Sequence, residues 1–251
     1  MLGYSLLIPQ RDAPALLAAQ LRELQPVLDG MKQPYEIICI DDGSRNASLT
    51  QLRKLQDLHP ALRVVRLDEP CGLGVALSVG IEAARGEKLL AMAAGPQYHP
   101  SQVPRLLNHL KRADFVQGKR IRHGLDKLWY RIARIPRSLL LGMEVRDPGC
   151  LFWAARREAV AGLDLSRTMH RCLAVLVAAR GYRVDQVLVE AQPAPPYPGE
   201  GWTRPADLLA ARWHRRHYQP YQAYEITRDA ESPILPFTRP EQRATPQRKS
   251  A

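Results

Sequence analysis

The apolar positions of this chain fall into short, nearly continuous runs, each followed by a stretch in which leucine and alanine recur at helical spacing. Tyr4 to Ile8 is the first run, closed by Pro9, whose ring removes a ladder donor. Asp12 stands where it can cap the next helix, with Pro14 in its first turn and Leu16, Leu17, Leu21, Leu24 and Leu28 on one face. Glu36 to Ile40 is a second strand, followed by a helix capped by Ser44 or Asn46 and running from about Leu49 to Leu58. Leu62 to Leu67 is the third strand. This alternation predicts an α/β domain with a mostly parallel sheet and right-handed crossovers.

Beyond it, Gly72, Gly74, Gly80 and Gly86 punctuate a small-residue helix whose spacing allows close approach of backbone or ligand. Lys88 to Met92 is a fourth strand, leading into Ala93-Ala94-Gly95. Ser101 is placed to cap a helix reaching about Arg112, and Phe115 to Gln117 is a short strand ending in Gly118-Lys119-Arg120. Arg122, Lys127, Arg131, Arg134 and Arg137 follow at helical spacing. Such a run is either a solvated face or, turned to a binding edge, a phosphate-holding one. Arg146 to Cys150 reads as a turn into Leu151 to Ala154. Further on, a helix from about Arg156 and another from His170-Arg171 to Arg180, with Gly181 as its stop, precede a last strand, Tyr182 to Val189. The chain divides into a domain at 1–201, an amphipathic basic helix at 202–219 around Trp213, and a Pro-rich basic tail at 220–251 expected to be poorly ordered.

Length and composition set outer limits. With 251 residues, 45% of them hydrophobic, one large domain can bury a full core. The formal charge of +11 favours an anionic partner, whether a phosphorylated small molecule, an anionic bilayer or nucleic acid. Cys39, Cys71, Cys150 and Cys172 lack Cys-x-x-Cys spacing, so no zinc site or disulfide framework is indicated and a reduced, cytoplasmic compartment fits. The first residues carry no basic flank of a signal peptide, and no apolar run reaches the ~20 residues a span requires, so any membrane contact is expected to be peripheral.

The stretch Glu36 to Ser44 organises the candidate chemistry. Its apolar run stops at Asp41-Asp42-Gly43-Ser44, which is how a buried strand delivers carboxylates to the carboxyl edge of a sheet, where open α/β sheets bind ligands. The same four residues also make a good turn and helix cap.

Taken in order, these pieces resemble family 2 glycosyltransferases of the GT-A fold, and most closely the polyprenyl-phosphate, dolichyl-phosphate mannose synthase-like branch. Ile8-Pro9 with Asp12, Asp41-Asp42-Gly43-Ser44, the Gly72 to Gly86 helix, Gly118-Lys119-Arg120, Arg146 to Cys150 and His170-Arg171 carry the resemblance, which runs from about Tyr4 to Leu209. It implies a single GT-A domain that binds a nucleotide-diphospho-sugar against Pro9, Asp12, Asp41, Asp42, Gly72 and Gly95. It also implies cationic catalysis by Arg120, His170 and Arg171, and an acceptor polyprenyl phosphate held by Arg122, Arg131 and Arg134, on or near an anionic inner membrane face.

The chain departs from the pattern where the family holds its metal. The family's Asp-x-Asp falls on Ala93-Ala94-Gly95, which offers no side-chain oxygen to a hard cation, so no metal or other cofactor is expected. Ala13 and Pro70 replace the family's Glu and Asn, and Gly199 to Thr203 lacks the family's lysine. Two functions follow from this mixture: a glycosyltransferase in which Lys88, Lys119, Arg120, His170 and Arg171 do the work of the metal, or a catalytically inactive relative that binds a nucleotide sugar, lipid phosphate or protein. Nucleic-acid binding fits the charge but not the 6% aromatic content.

Overall fold

A computed structural model describes residues 2–121, 147–166, 169–193, 197–198 and 234–237. Among the described residues, eight strands form one sheet: β1 (Tyr4–Gln10), β2 (Tyr35–Asp42), β3 (Leu62–Leu67), β4 (Lys88–Met92), β5 (Phe115–Arg120), β6 (Phe152–Arg156), β7 (Val184–Val189) and β8 (Ile234–Phe237). Their order across the sheet is β7-β5-β6-β4-β1-β2-β3-β8. Of these strands, β6 alone among the described residues runs against its neighbours, pairing antiparallel with β4 and β5. The carboxyl ends of β1, β2, β3, β4, β5 and β7 therefore share one edge, with the turn before β6 beside them.

Helices cover both faces: α1 (Pro14–Gly30), α2 (Asn46–Leu58), α3 (Leu73–Ala83), α4 (Val103–His109), the short α5 (Arg157–Val160) and α6 (Leu173–Ala179). Because neighbouring strand residues point to opposite faces, β2 feeds two cores. Ile38 and Ile40 pack with Leu77 of α3 and Leu176 of α6, whereas Ile37 and Cys39 pack with Leu17, Leu21 and Leu24 of α1. Gly80 lets α3 lie directly on β2, since a Cβ there would sit 2.8 Å from Cδ1 of Ile40. That glycine serves helix packing.

Several boundaries differ from the sequence reading, each for a physical reason. Pro9 does not end β1. Pairing with β4 stops at Leu7, while pairing with β2 continues to Gln10, so beyond Leu7 one side of β1 asks for no ladder donor. Leu16 does not join the buried face of α1 and is 44% exposed. Asp12 does not cap α1, whose N-cap is Ala13 without a side-chain bond. Its carboxylate crosses to the start of α2 and accepts from Arg45 N at 2.9 Å and Ser48 Oγ at 3.2 Å. Ser44 likewise does not cap α2; its Oγ accepts from Asp12 N at 2.8 Å. His99, not Ser101, caps the 3₁₀ turn Pro100–Gln102 that precedes α4. Gly86 does not close α3, which ends at Ala83; it lies against β1 and donates to Ser5 Oγ at 2.8 Å.

Within the tail, residues 234–237 pair as a parallel edge strand with β3, an element the sequence reading did not predict. No helix among the described residues is long and apolar enough to cross a membrane. Arg122, Lys127, Arg131, Arg134, Arg137, the helix expected at 202–219 and the segment Gly199 to Thr203 lie outside the described residues.

Candidate functional site

At the carboxyl edge the register places Gln10, Asp41 and Arg66 side by side on β1, β2 and β3. Asp41 is fully buried. Its Oδ1 accepts from Gln10 Nε2 at 2.5 Å, and its Oδ2 stands 4.0 Å from Arg66 Nε. That separation is too long for a hydrogen bond, and both atoms are buried without a hydrogen-bond partner among the described residues. Glu36, at the opposite end of β2, provides the contrast: Ser5 Oγ and Arg85 N serve one of its oxygens and Arg63 the other. Burial pushes the Asp41 carboxyl above the usual range, partly offset by the hydrogen bond to Ser44 and the charge of Arg66. A buried carboxylate with one open oxygen beside an open guanidinium N–H is arranged to meet a ligand.

Asp42 points to the other face and is occupied there. Its carboxylate accepts from Cys71 N at 2.7 Å and Gly72 N at 3.0 Å, which fixes the start of α3. Tyr197 reaches the same group, its hydroxyl donating to Oδ2 at 3.3 Å. Burial and the neighbouring Asp42 raise the Tyr197 hydroxyl well above its ordinary value. Gly43 between the two sites adopts a φ of +64°, and a Cβ there would lie 2.5 Å from the Glu69 carbonyl carbon. Asp-Asp-Gly-Ser thus does two jobs: Asp41 keeps one carboxylate oxygen without a hydrogen-bond partner among the described residues, whereas Asp42, Gly43 and Ser44 hold loops.

The loop after β4 is held by Gln20 of α1. Its Nε2 donates to Ala93 O at 2.9 Å and its Oε1 accepts from Gly95 N at 3.3 Å. Gly95 has a φ of +112°, a conformation that disfavours any other residue. Ala93 and Ala94 pack against the α1-side core. Apolar packing, a backbone carbonyl already accepting a bond and a Cβ-less residue do not fit a divalent cation, and no cluster of three His, Cys, Asp or Glu suited to one occurs among the described residues.

Arg120 lies at the end of β5, but it is bound rather than free. It grips the buried Asp147 with Nε and Nη2 at 2.7 Å each, and its backbone N–H adds a third bond at 3.0 Å. The Asp147 hydrogen bonds raise the guanidinium further above its ordinary value. Tyr98 stacks on Phe152 beneath this pair, with its hydroxyl 3.5 Å from Cys150 Sγ. Burial and the charge of Asp147 push the Cys150 thiol up to about 12.

Half-buried His170 and Arg171 occupy a 3₁₀ turn, Met169–Cys172, that packs on α3. Since α6 leads through a short turn into β7, this end of it lies toward the carboxyl edge. Lys119, the last residue but one of β5, lies at the same edge. Lys88 does not: it begins β4, opposite Tyr4 at the amino edge, with its ammonium 5.3 Å from the Tyr4 ring centre. Pro9 pairs with Ile40 in the strand wall, and Asp12 braces α2. Gln10, Gln20, Arg66 and Tyr197 escaped the sequence reading. Gln10 and Arg66 were within reach, because counting register outward from Asp41 places them beside it.

The sequence pattern of glycosyl transferase family 2 matches residues 7–162. An undecaprenyl-phosphate 4-deoxy-4-formamido-L-arabinose transferase of Aeromonas hydrophila is 30% identical over 162 residues, covering 62% of this chain and 49% of that protein. The dolichol-phosphate mannosyltransferase of Pyrococcus furiosus is 27% identical over 173 residues, covering 64% and 48%. The chain spans about half the length of the curated relatives it matches. Among solved structures, glucosyl-3-phosphoglycerate synthase of Mycobacterium tuberculosis, bound to Mn2+, UDP-glucose and phosphoglyceric acid, superposes with a TM-score of 0.62 at 18% identity, over 85% of this chain and 79% of that one. A mannosyltransferase of Pyrobaculum calidifontis with GDP-mannose and Mn2+ gives 0.55 at 17% identity, over 86% and 70%. Both share the GT-A fold, and the family pattern runs through the strand ends that carry Asp41, Arg66 and Arg120. On that match, this chain belongs to glycosyl transferase family 2.

Proposed function

We propose that this domain binds a nucleotide-diphospho-sugar across the carboxyl edge of its sheet and transfers the glycosyl group to a polyprenyl phosphate, without a divalent metal held at Ala93 to Gly95. The observation that carries this reading is the open pair at Asp41 Oδ2 and Arg66 Nε, two buried polar atoms at the strand ends with no hydrogen-bond partner among the described residues. The polyprenyl-phosphate transferases among its relatives support the acceptor class. A phosphate acceptor is already ionised at neutral pH, so the reaction needs alignment with the anomeric carbon more than a general base. Lys119 and Arg171, with the His170 ring as a further hydrogen-bonding group, stand toward this edge among the described residues and can stabilise the departing diphosphate. Arg120 and Asp147 together form a neutral unit that positions the end of β5. A lipid acceptor and the charge of +11 support a working position at an anionic membrane surface, on the cytoplasmic side.

A second reading, nucleotide-sugar binding without transfer, is favoured by the Gln20 brace and by the engagement of Arg120 with Asp147. One experiment separates the two. The full chain is incubated with nucleotide sugars and a short-chain polyprenyl phosphate, with chelator and with manganese, and glycolipid and donor binding are both measured. Product with chelator present supports transfer. Binding without product favours the second reading, and product only with manganese overturns the metal-free assignment.

A further inference from the structure

We propose that the C-terminal segment Ile234–Phe237 docks on the β3 edge of its own chain as a strap that closes this side of the sheet against a second copy. Without β8, β3 would be the outermost of the described strands on this side, since the sheet order ends β2-β3-β8. One bond fixes which way each backbone group points. Ile37 N donates to Ala61 O at 2.8 Å, so Ala61 and, by alternation, Arg63, Val65 and Leu67 turn their N–H and C=O groups to β2. Val64 and Arg66 turn theirs the other way. β3 also buries Leu62, Val64, Val65 and Leu67, and an apolar strand with open N–H and C=O groups is a template for another chain.

The segment answers those groups in a parallel register, with Val64 beside Ile234 and Arg66 beside Pro236. In that register Leu235 N–H meets the Val64 carbonyl, Arg66 N–H meets the Leu235 carbonyl, and Phe237 N–H meets the Arg66 carbonyl. Ile234 and Pro236 therefore turn their backbone groups away from β3. Pro236 has no N–H to present there, so it costs the pairing nothing, and Ile234 keeps the one outward N–H among the described residues of β8. A single short segment thus satisfies an open edge and leaves a poor template beyond it. Tethering favours it over a free second copy, because a segment of the same chain has an effective concentration that a dilute partner does not reach.

Hydrogen exchange of the full chain, with light scattering of the same samples, tests this. Leu235→Pro removes an inward N–H and sets its ring against the Val64 carbonyl, whereas Ile234→Pro makes the same change on the outward side. The Arg66 amide is expected to exchange about tenfold faster in Leu235→Pro than in the parent protein, and no faster in Ile234→Pro. The Ile37 amide, on the β2 side of β3, should stay protected in all three and so report an intact sheet; if Leu235→Pro loses it, Phe237→Pro, which removes only the last inward donor, is read instead. Leu235→Pro should also form a larger, concentration-dependent species that the parent and Ile234→Pro do not. Arg66 exchange that is unchanged by Leu235→Pro, or accelerated equally by Ile234→Pro, overturns the docked register. Arg66 protection in the parent that fades on dilution as a dimer dissociates assigns the strand to a second copy and overturns the strap. A freed Arg66 amide in a Leu235→Pro chain that keeps the parent's mass at every concentration overturns the guard against self-association.

Discussion

Arg120 and Asp147 are joined by two parallel hydrogen bonds, Nε to Oδ2 and Nη2 to Oδ1, each 2.7 Å long. Asp147 is 1% exposed, and its carboxylate accepts from this guanidinium and from the Arg120 backbone N–H. Removing the guanidinium takes two charge-assisted hydrogen bonds from a buried carboxylate. Arg120→Ala is expected to destabilise by about 3 kcal/mol, roughly 6 to 12 °C in Tm for a domain of this size. Arg120→Lys should recover less than half, because an ammonium cannot make the parallel pair. Thermal unfolding of the two variants checks this, and a Tm unchanged by Arg120→Ala would mean that the side chain is held for the substrate instead.

Asp42 gives a second case in which a site residue holds structure. Its carboxylate accepts from Cys71 N, Gly72 N and Tyr197 Oη. Asp42→Ala leaves all three donors without it, for an expected loss of about 3 kcal/mol in denaturant unfolding. Tyr197→Phe removes one of the three and should cost about 1 kcal/mol.

The scaffold was legible in the sequence because its signals are local. Strands such as Leu62–Leu67 and Lys88–Met92 are bounded by turn residues and buried on both faces, and their limits were readable to the residue. Side-chain partnerships were not, because they depend on which strand ends become neighbours. Asp12 sits at a good capping position for α1, yet its carboxylate serves α2 from across a crossover, 33 residues away in sequence. Arg120 and Lys88 looked equivalent as free cations; topology puts Lys88 at the wrong edge, and Asp147 neutralises Arg120. Gln20 drew no notice in the sequence and is 4% exposed, because only the packing of α1 against the loop after β4 reveals its role.

Away from the site, Asp114 sets a pH dependence. It accepts from Arg183 N at 2.9 Å and faces Arg183 Nε and Arg156 Nε, each at 3.3 Å. These contacts, the Arg183 backbone bond foremost, hold its carboxyl below the ordinary value. A carboxyl lowered in the folded state stabilises fully above its unfolded pKa of about 4, and that contribution is lost as pH falls through the lowered folded value. The stability gap between the parent protein and Asp114→Asn is therefore expected to be constant from pH 7 to pH 5 and to close below about pH 4. Urea unfolding across that range measures it, and a gap that widens on acidification would contradict the assignment.

The brace under the loop after β4 makes the sharpest statement about the metal. Gln20 donates to Ala93 O and accepts from Gly95 N, so one buried amide sets the path of the segment where the family's metal carboxylates would stand. Gln20→Leu keeps the bulk but removes both bonds, leaving a carbonyl and an N–H without this partner. The expected cost is about 2 to 3 kcal/mol. If a metal bound this loop, manganese would restore part of the loss by favouring the folded state, by about 2.7 kcal/mol at a hundred times its Kd. If the amide has taken over the metal's structural role, manganese and chelator will leave the Tm of both Gln20→Leu and the parent protein unchanged. Thermal unfolding of the two proteins in each condition decides the matter, and a manganese-dependent rise in either one would return the metal to this site.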